Sequence, residues 1–155
     1  MIQTVKQHNQ MNIPFRLSRI ENRQFALLAD IVENPNINVE TSFAFSIAQS
    51  QSSIRCIGNF VYIQNGEKKV IMEVACHFII KPEGWDIMCH DKKMIVPKGL
   101  LQHFATIVVG TARGILFAKS EGTKLQGYFL PLVDLTQGIT DDMEYPVSAN
   151  VSLSE

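Results

Sequence analysis

With 155 residues, a formal charge of −1 and no internal break in composition, the chain fits one domain whose core buries about 70% of the unfolded surface and needs no staples. Its basic residues stand singly or in pairs such as Lys68-Lys69 and Lys92-Lys93, which excludes the clustered cationic footprint of a nucleic-acid binder, and its longest apolar run, 104–112, falls short of the ~20 residues that insert stably in a membrane. Three cysteines, Cys56, Cys76 and Cys89, share no repeated spacing and no basic-then-apolar leader opens the chain, so a reducing cytoplasm is the expected location.

Residues 1–12 are polar with weak periodicity and read as a flexible arm; a single domain is expected over 13–145, with a disordered tail at 146–155. From Ile13 the two-residue period of a half-buried strand sets in, with Ile13, Phe15 and Leu17 on one side, until Arg19, Ile20 and Glu21 blur it. Residues 30–38 carry Asn34-Pro35-Asn36 and read as a connection. The next strand places Val39, Thr41, Phe43, Phe45 and Ile47 on one face, and 49–53 break it. The stretch 55–63 is apolar on both faces and holds Gly58, so it is either a central strand covered on two sides or one with a bulge. Asn65-Gly66 is a strong hairpin signal, and beyond it Val70, Met72, Val74, Cys76, Phe78 and Ile80 alternate down a long strand that ends at 81–84.

The segment 85–94 has no clear period. Pro97 suits a helix start, after which Leu100, Phe104, Val108 and Thr111 form one stripe and Leu101, Ala105, Val109, Ala112 and Leu116 a second. The helix is thus apolar on two sides, and the second side needs a cover: another subunit, with Gly110 and Gly114 admitting close approach, or the C-terminal segment wrapped over Ile107, Val109 and Leu116. Large apolar patches favour the first. Glu121-Gly122 ends the helix, and 128–133 is a last extended piece interrupted by Pro131. Several antiparallel strands followed by a helix describe an α+β domain with the helix on one face of a sheet.

Little points to chemistry. Cys76-His77 and Cys89-His90 contain zinc-ligand types, but strand neighbours face opposite sides and no short CxxC loop is present, so no metal is expected. Adjacency in sequence is not the geometry of a nucleophile and its base either. The GTARG run at 110–114 lacks a GK[ST] ending and lies within a helix, so it is no phosphate loop. Asp141, Asp142 and Glu144 read as a solvated turn. Arg113, alone late in an apolar helix, sits at a solvated edge or is held by a carboxylate, and the second view is preferred, with the partner across an interface. No cofactor is expected, and the chain does not read as an enzyme.

Three stretches resemble a known family. FRLSRIENRQF at 15–25 resembles the opening strand of the SecB export chaperones, HFATIVVGTARG at 103–114 resembles their long helix with its late Arg-Gly pair, and Leu130-Pro131-Leu132-Val133-Asp134-Leu135 is similar to the segment leading into their short second helix. The resemblance spans about 13–142 and implies a SecB-like fold, a four-stranded antiparallel sheet with a long helix packed on one face. It further implies a bacterial, cytoplasmic protein-export or protein-transport chaperone, an oligomeric holdase that binds unfolded or precursor polypeptides without ATP in apolar grooves between sheet, helix and crossover 30–38. Dimers would form through the first strand and long helix, here Phe15, Leu17, Phe104, Ile107, Val108, Gly110 and Gly114, and tetramers through helices. Phe43, Phe45, Phe60, Tyr62, Met72, Val74 and Phe78 are the residues suited to contact an extended client. The family's acidic motor-docking positions fall on Gln24 and Leu28, which implies a paralogue that does not dock to the motor in the usual way. Two rival readings need the same sheet and helix: an interaction module for one folded partner, such as a toxin–antitoxin protein, and a carrier of a small apolar ligand.

Overall fold

The computed structural model describes residues 13–32 and 36–147. The expected arm at 1–12, Asn34 and Pro35 of the connection, and 148–155 of the expected tail lie outside the described residues. Four strands, β1 (Phe15–Leu27), β2 (Ile37–Ala48), β3 (Ser53–Gln64) and β4 (Glu67–Ile80), form an antiparallel sheet in the order β1-β4-β3-β2. After them come helix α1 (Pro82–Met88), strands β5 (Cys89–His90) and β6 (Lys93–Val96), helix α2 (Lys98–Ser120), helix α3 (Leu135–Gly138) and strand β7 (Met143–Pro146). Strands β5, β6 and β7 make a second, small sheet. The expected α+β architecture, a four-stranded antiparallel sheet with a long helix on one face, is the one observed.

Alternation explains most of it. Val70, Met72, Val74, Cys76, Phe78 and Ile80 of β4 are at most 1% exposed, and they lie opposite the buried alternate residues of β3, from Ile54 to Tyr62. The β3–β4 hairpin turns at Asn65 (φ 53°) and Gly66 (φ 73°), both left-handed as a type I′ turn demands. In β1 the alternation is interrupted because the register shifts twice against β4, between Leu17 and Arg19 and between Asn22 and Gln24. Past each shift the strand continues, so it is 13 residues long where the sequence pattern fades after Leu17.

Helix α2 buries Leu101, Phe104, Ala105, Val108, Val109, Ala112 and Leu116. Phe104 stacks on Phe78 with ring centres 4.0 Å apart and meets Phe15 edge-on at 5.0 Å. Burial of one such ring contributes about 1.5–3 kcal/mol. By length and composition α2 could cross a membrane, and its packing on the sheet accounts for the apolar residues of its inner side. Its first turn is capped from a distance: the Lys98 N–H donates to Asp142 Oδ1 at 2.8 Å, so Asp142 is a capping residue and not merely part of a solvated turn.

Gly58 marks the closest approach of helix to sheet. A Cβ there would lie 2.7 Å from Val108 Cγ1, so the glycine serves helix packing, while the irregularity of the β3–β4 ladder falls elsewhere, opposite Tyr62 and Ile63, where Lys69 of β4 is the extra residue. Strand β3 is central, but α2 covers only one face, and Arg55, Ile57, Asn59, Val61 and Ile63 are half-buried on the other. The stretch 85–94, unreadable by period, contains most of α1 and the β5–β6 turn, where Asp91 and Lys92 both adopt positive φ.

Candidate functional site

Three surfaces are left once the core is closed. The first is the β1 edge together with the outer side of α2. Among the described residues strand β1 has a neighbour on one side only, and Leu17 (41% exposed), Ile20 (50%) and Leu27 project beside it. Phe15 and Phe25, on the same face by register, pack under His103 and Lys119 of α2, so the helix runs along this strand. On the side of α2 away from the sheet, His103, Thr106, Gly110, Gly114 and Phe117 recur every three or four residues and are exposed, with Ile107 half-buried beside them.

The second surface is the β2 edge. Phe43 and Phe45 are half-buried there, and Phe43 meets the Phe60 ring edge-on at 6.2 Å. Above the sheet, on the flank of α2 that carries Gln102 and Arg113, the segment 121–139 forms a strap: Leu125 and Leu130 are buried in the core, while Phe129 (63%) and Leu132 (95%) point outward. Arg113 donates to the Leu130 carbonyl at 3.4 Å and the Pro131 carbonyl at 3.1 Å, and Gln102 to that of Ile139 at 2.8 Å. Arg113 is therefore held by backbone carbonyls of its own chain, acceptors that neither expected setting included. The same strap answers what covers the second stripe of α2. Val109 (4%) and Leu116 (1%) are buried within one chain, so they need no second subunit. At the end of the strap Asp134 caps α3, and the hydrogen bonds from Thr136 hold its carboxyl below the usual range.

The crossover between β1 and β2 is gripped by one buried amide. Gln64 accepts from the Val32 N–H at 2.9 Å and donates to the Val32 carbonyl at 2.8 Å, satisfying both ends of its side chain.

Of the seven side chains matched to client contact, Phe60, Tyr62, Met72, Val74 and Phe78 are core residues at most 1% exposed, sealed between sheet and α2, and only Phe43 and Phe45 reach a surface. Of the seven matched to the subunit interface, Phe104 and Val108 are likewise core residues at 0% exposure, and Phe15 is half-buried beneath them; Leu17, Ile107, Gly110 and Gly114 lie on the first surface. Alternation identifies a face, and the face it identified is the one α2 closes.

The third surface is the open face of the sheet. His77 points there while Cys76 points into the core, as neighbouring strand residues must. Glu21 accepts from His77 Nε2 at 2.8 Å and pairs with Arg19 at 3.1 Å; partial burial opposes its ionisation, but the His77 hydrogen bond and the charges of Arg19, His77 and Arg23 outweigh that and lower its pKa. In the core, Cys56 and Cys76 face each other across β3 and β4, and burial, with Cys76 opposite, pushes the Cys56 thiol up to about 12. Burial likewise raises Cys76, against a hydrogen bond to Thr111, and Cys89, helped by Asp86. Tyr62 is pushed up to about 12 by burial, against the pull of Arg113. Raised thiols make poor nucleophiles at neutral pH. Among the described residues no group of three or more His, Cys, Asp and Glu side chains is placed to hold a metal.

No protein-family model matches the chain, and no curated protein matches it in sequence. Among solved structures it is similar to the Mycobacterium tuberculosis SecB-like chaperone Rv1957 in complex with a ChAD peptide from the Rv1956 HigA1 antitoxin, at 11% identity over 77% of this chain and 91% of that one, with a TM-score of 0.44.

Proposed function

We propose that the chain is a non-enzymatic, ATP-independent holdase of SecB-like design that binds unfolded polypeptides as a homo-oligomer. The observation that carries this is the pairing of strand edges, unpaired among the described residues, with apolar side chains that are exposed beside β1 and half-buried beside β2. An edge strand offers unpaired N–H and C=O groups to another chain, and adjacent apolar side chains supply affinity that is tolerant of sequence. Soluble proteins seldom leave such patches uncovered without a partner for them.

The two edges suit different partners. Beside β1, Leu17 and Ile20 adjoin a helix face opened by Gly110 and Gly114, a surface that a second copy can match through a two-fold axis. Beside β2, Phe43 and Phe45 offer aromatic contacts for an extended client, and the outward Phe129 and Leu132 of the strap add exposed apolar surface over α2. Gln24 and Leu28, where the family's motor-docking acids fall, support a task apart from the translocation motor. Light scattering of a reduced, unfolding client without ATP tests the proposal. Suppression at about one assembly per client is expected, and a folded protein that leaves aggregation unchanged would overturn it.

A further inference from the structure

The register of the sheet assembles a row of basic and polar side chains that no single strand reveals. Arg19 lies opposite His77, His77 opposite Arg55, and Arg55 opposite Ser46, so these four residues cross the open face from β1 to β2 in one line. The neighbouring row toward the α1 end adds a further cation, Arg16, through Ile79 and Ser53. One carboxylate serves this row: Glu21 pairs with Arg19 and accepts a hydrogen bond from His77. Arg55 is left out. Among the described residues it pairs with no carboxylate, although it is half-buried, and its Nε–H donates to Ser46 Oγ at 3.0 Å, which fixes the plane of the guanidinium.

Beside that guanidinium the surface is hollow. A shallow depression of 330 Å³ is lined by Arg55, His77, Ser46, Ser53 and Gln51 together with two apolar residues, and none of its lining residues is acidic. Its rim is the tight corner between β2 and β3, where Ser52 adopts φ 49° and its carbonyl accepts the Ile80 N–H at 2.9 Å, tying the corner to β4. Hydroxyl, amide and guanidinium donors therefore converge on fixed backbone with a local cationic excess, in a chain whose net charge is −1.

We infer that this corner is a binding site for an oxyanion, the carboxylate or phosphate group of a small ligand, with Arg55 as its principal partner and Ser46, Gln51 and Ser53 as flanking donors. The site is on the opposite side of the sheet from the proposed client surface and does not depend on it. It requires no covalent step.

The test is an amide and arginine-side-chain NMR titration of the full chain with inorganic phosphate and, separately, with acetate, at constant ionic strength set by chloride. Saturable shifts centred on Arg55, Gln51 and Ser53 are expected, from phosphate if the ligand is a phosphate group and from acetate if it is a carboxylate. Arg55→Gln should weaken binding at least about tenfold, whereas Arg16→Gln, which loses a nearby charge of the same sign, should weaken it much less. Gln51 is exposed, so Gln51→Glu keeps the fold and supplies a competing carboxylate; it should abolish the shifts. Shifts that fail to saturate with either anion, or that persist unchanged in Arg55→Gln or Gln51→Glu, overturn the inference.

Discussion

Replacing Gly58 by alanine adds one methyl group at the point where α2 meets the sheet. The new Cβ would lie 2.7 Å from Val108 Cγ1 and 2.9 and 3.0 Å from two atoms of the Phe60 ring. Carbon atoms in packed interiors prefer about 3.5–4.0 Å, so the overlap with Val108 approaches 1 Å. Neither neighbour can swing into solvent, because Val108 and Phe60 are both 0% exposed. Overpacking of this kind costs about 1–3 kcal/mol, and the lost backbone freedom of glycine returns about 0.5–1 kcal/mol. The net expectation is a loss of about 1–2 kcal/mol, or about 3–6 °C in Tm for a chain of this size. Urea unfolding followed by circular dichroism measures it. The cause is isolated by repeating the substitution in a Val108→Ala background, where the clashing carbon is gone. Gly58→Ala should then cost about 1 kcal/mol less than in the wild type, because the Phe60 ring, still 2.9 Å away, can move into the space Val108 leaves, a coupling between two positions far apart in sequence. A neutral or stabilising effect in the wild-type background would show that the helix does not rest on Gly58, and the placement of α2 would have to be revised.

Three further outcomes follow from the same geometry. Ile20→Lys, at a half-exposed position of the β1 edge, should leave the fold intact and shift sedimentation from oligomer to monomer; an unchanged oligomer places the interface elsewhere. Arg113→Ala should cost about 1–2 kcal/mol and accelerate amide exchange around Leu130 while leaving assembly unchanged, since its partners are carbonyls of its own strap; a loss of assembly would restore the intersubunit view. The Cys56 thiol, pushed from its ordinary 9.0 up to about 12, holds its proton in the folded chain above the pH at which the unfolded chain releases it. Stability from this thiol is therefore complete below pH 9.0 and is lost as pH rises toward about 12, by roughly 1.4 kcal/mol per pH unit within that window; urea midpoints for Cys56→Ala should fall less steeply with pH than those of the wild type.

The longest regular elements were legible because their periods are undisturbed. Strands β2 and β4 and helix α2 each carry one repeat over a dozen residues or more, and Asn65-Gly66 announces its own turn. Helix α1 and strands β5 to β7 were not, because pieces of seven residues or fewer owe their form to tertiary neighbours and not to a period. The functional surface was half legible. Leu17, Ile107, Gly110 and Gly114, expected at a subunit interface, do lie at the surface of the chain, but Phe60, Met72 and Phe104 look the same in sequence whether they line a groove or close a core. The row from Arg19 to Ser46 was hidden by one residue of register. Counting back from the pair Gln64 and Glu67 at the hairpin sets Arg55 opposite Cys76, and only the shift between Tyr62 and Ile63 moves it opposite His77. Arg113 illustrates a different limit: a backbone carbonyl acceptor leaves no residue type to search for.

Polypeptide binding is tested most directly by titrating the purified protein into a labelled client held permanently unfolded by reduction and alkylation, beside the same client folded, and following anisotropy without nucleotide. The proposed function predicts saturable binding of the unfolded form, no binding of the folded form, and no response to added ATP. Equal affinity for the folded client, or no binding to either by an oligomer that is fully folded, would contradict it.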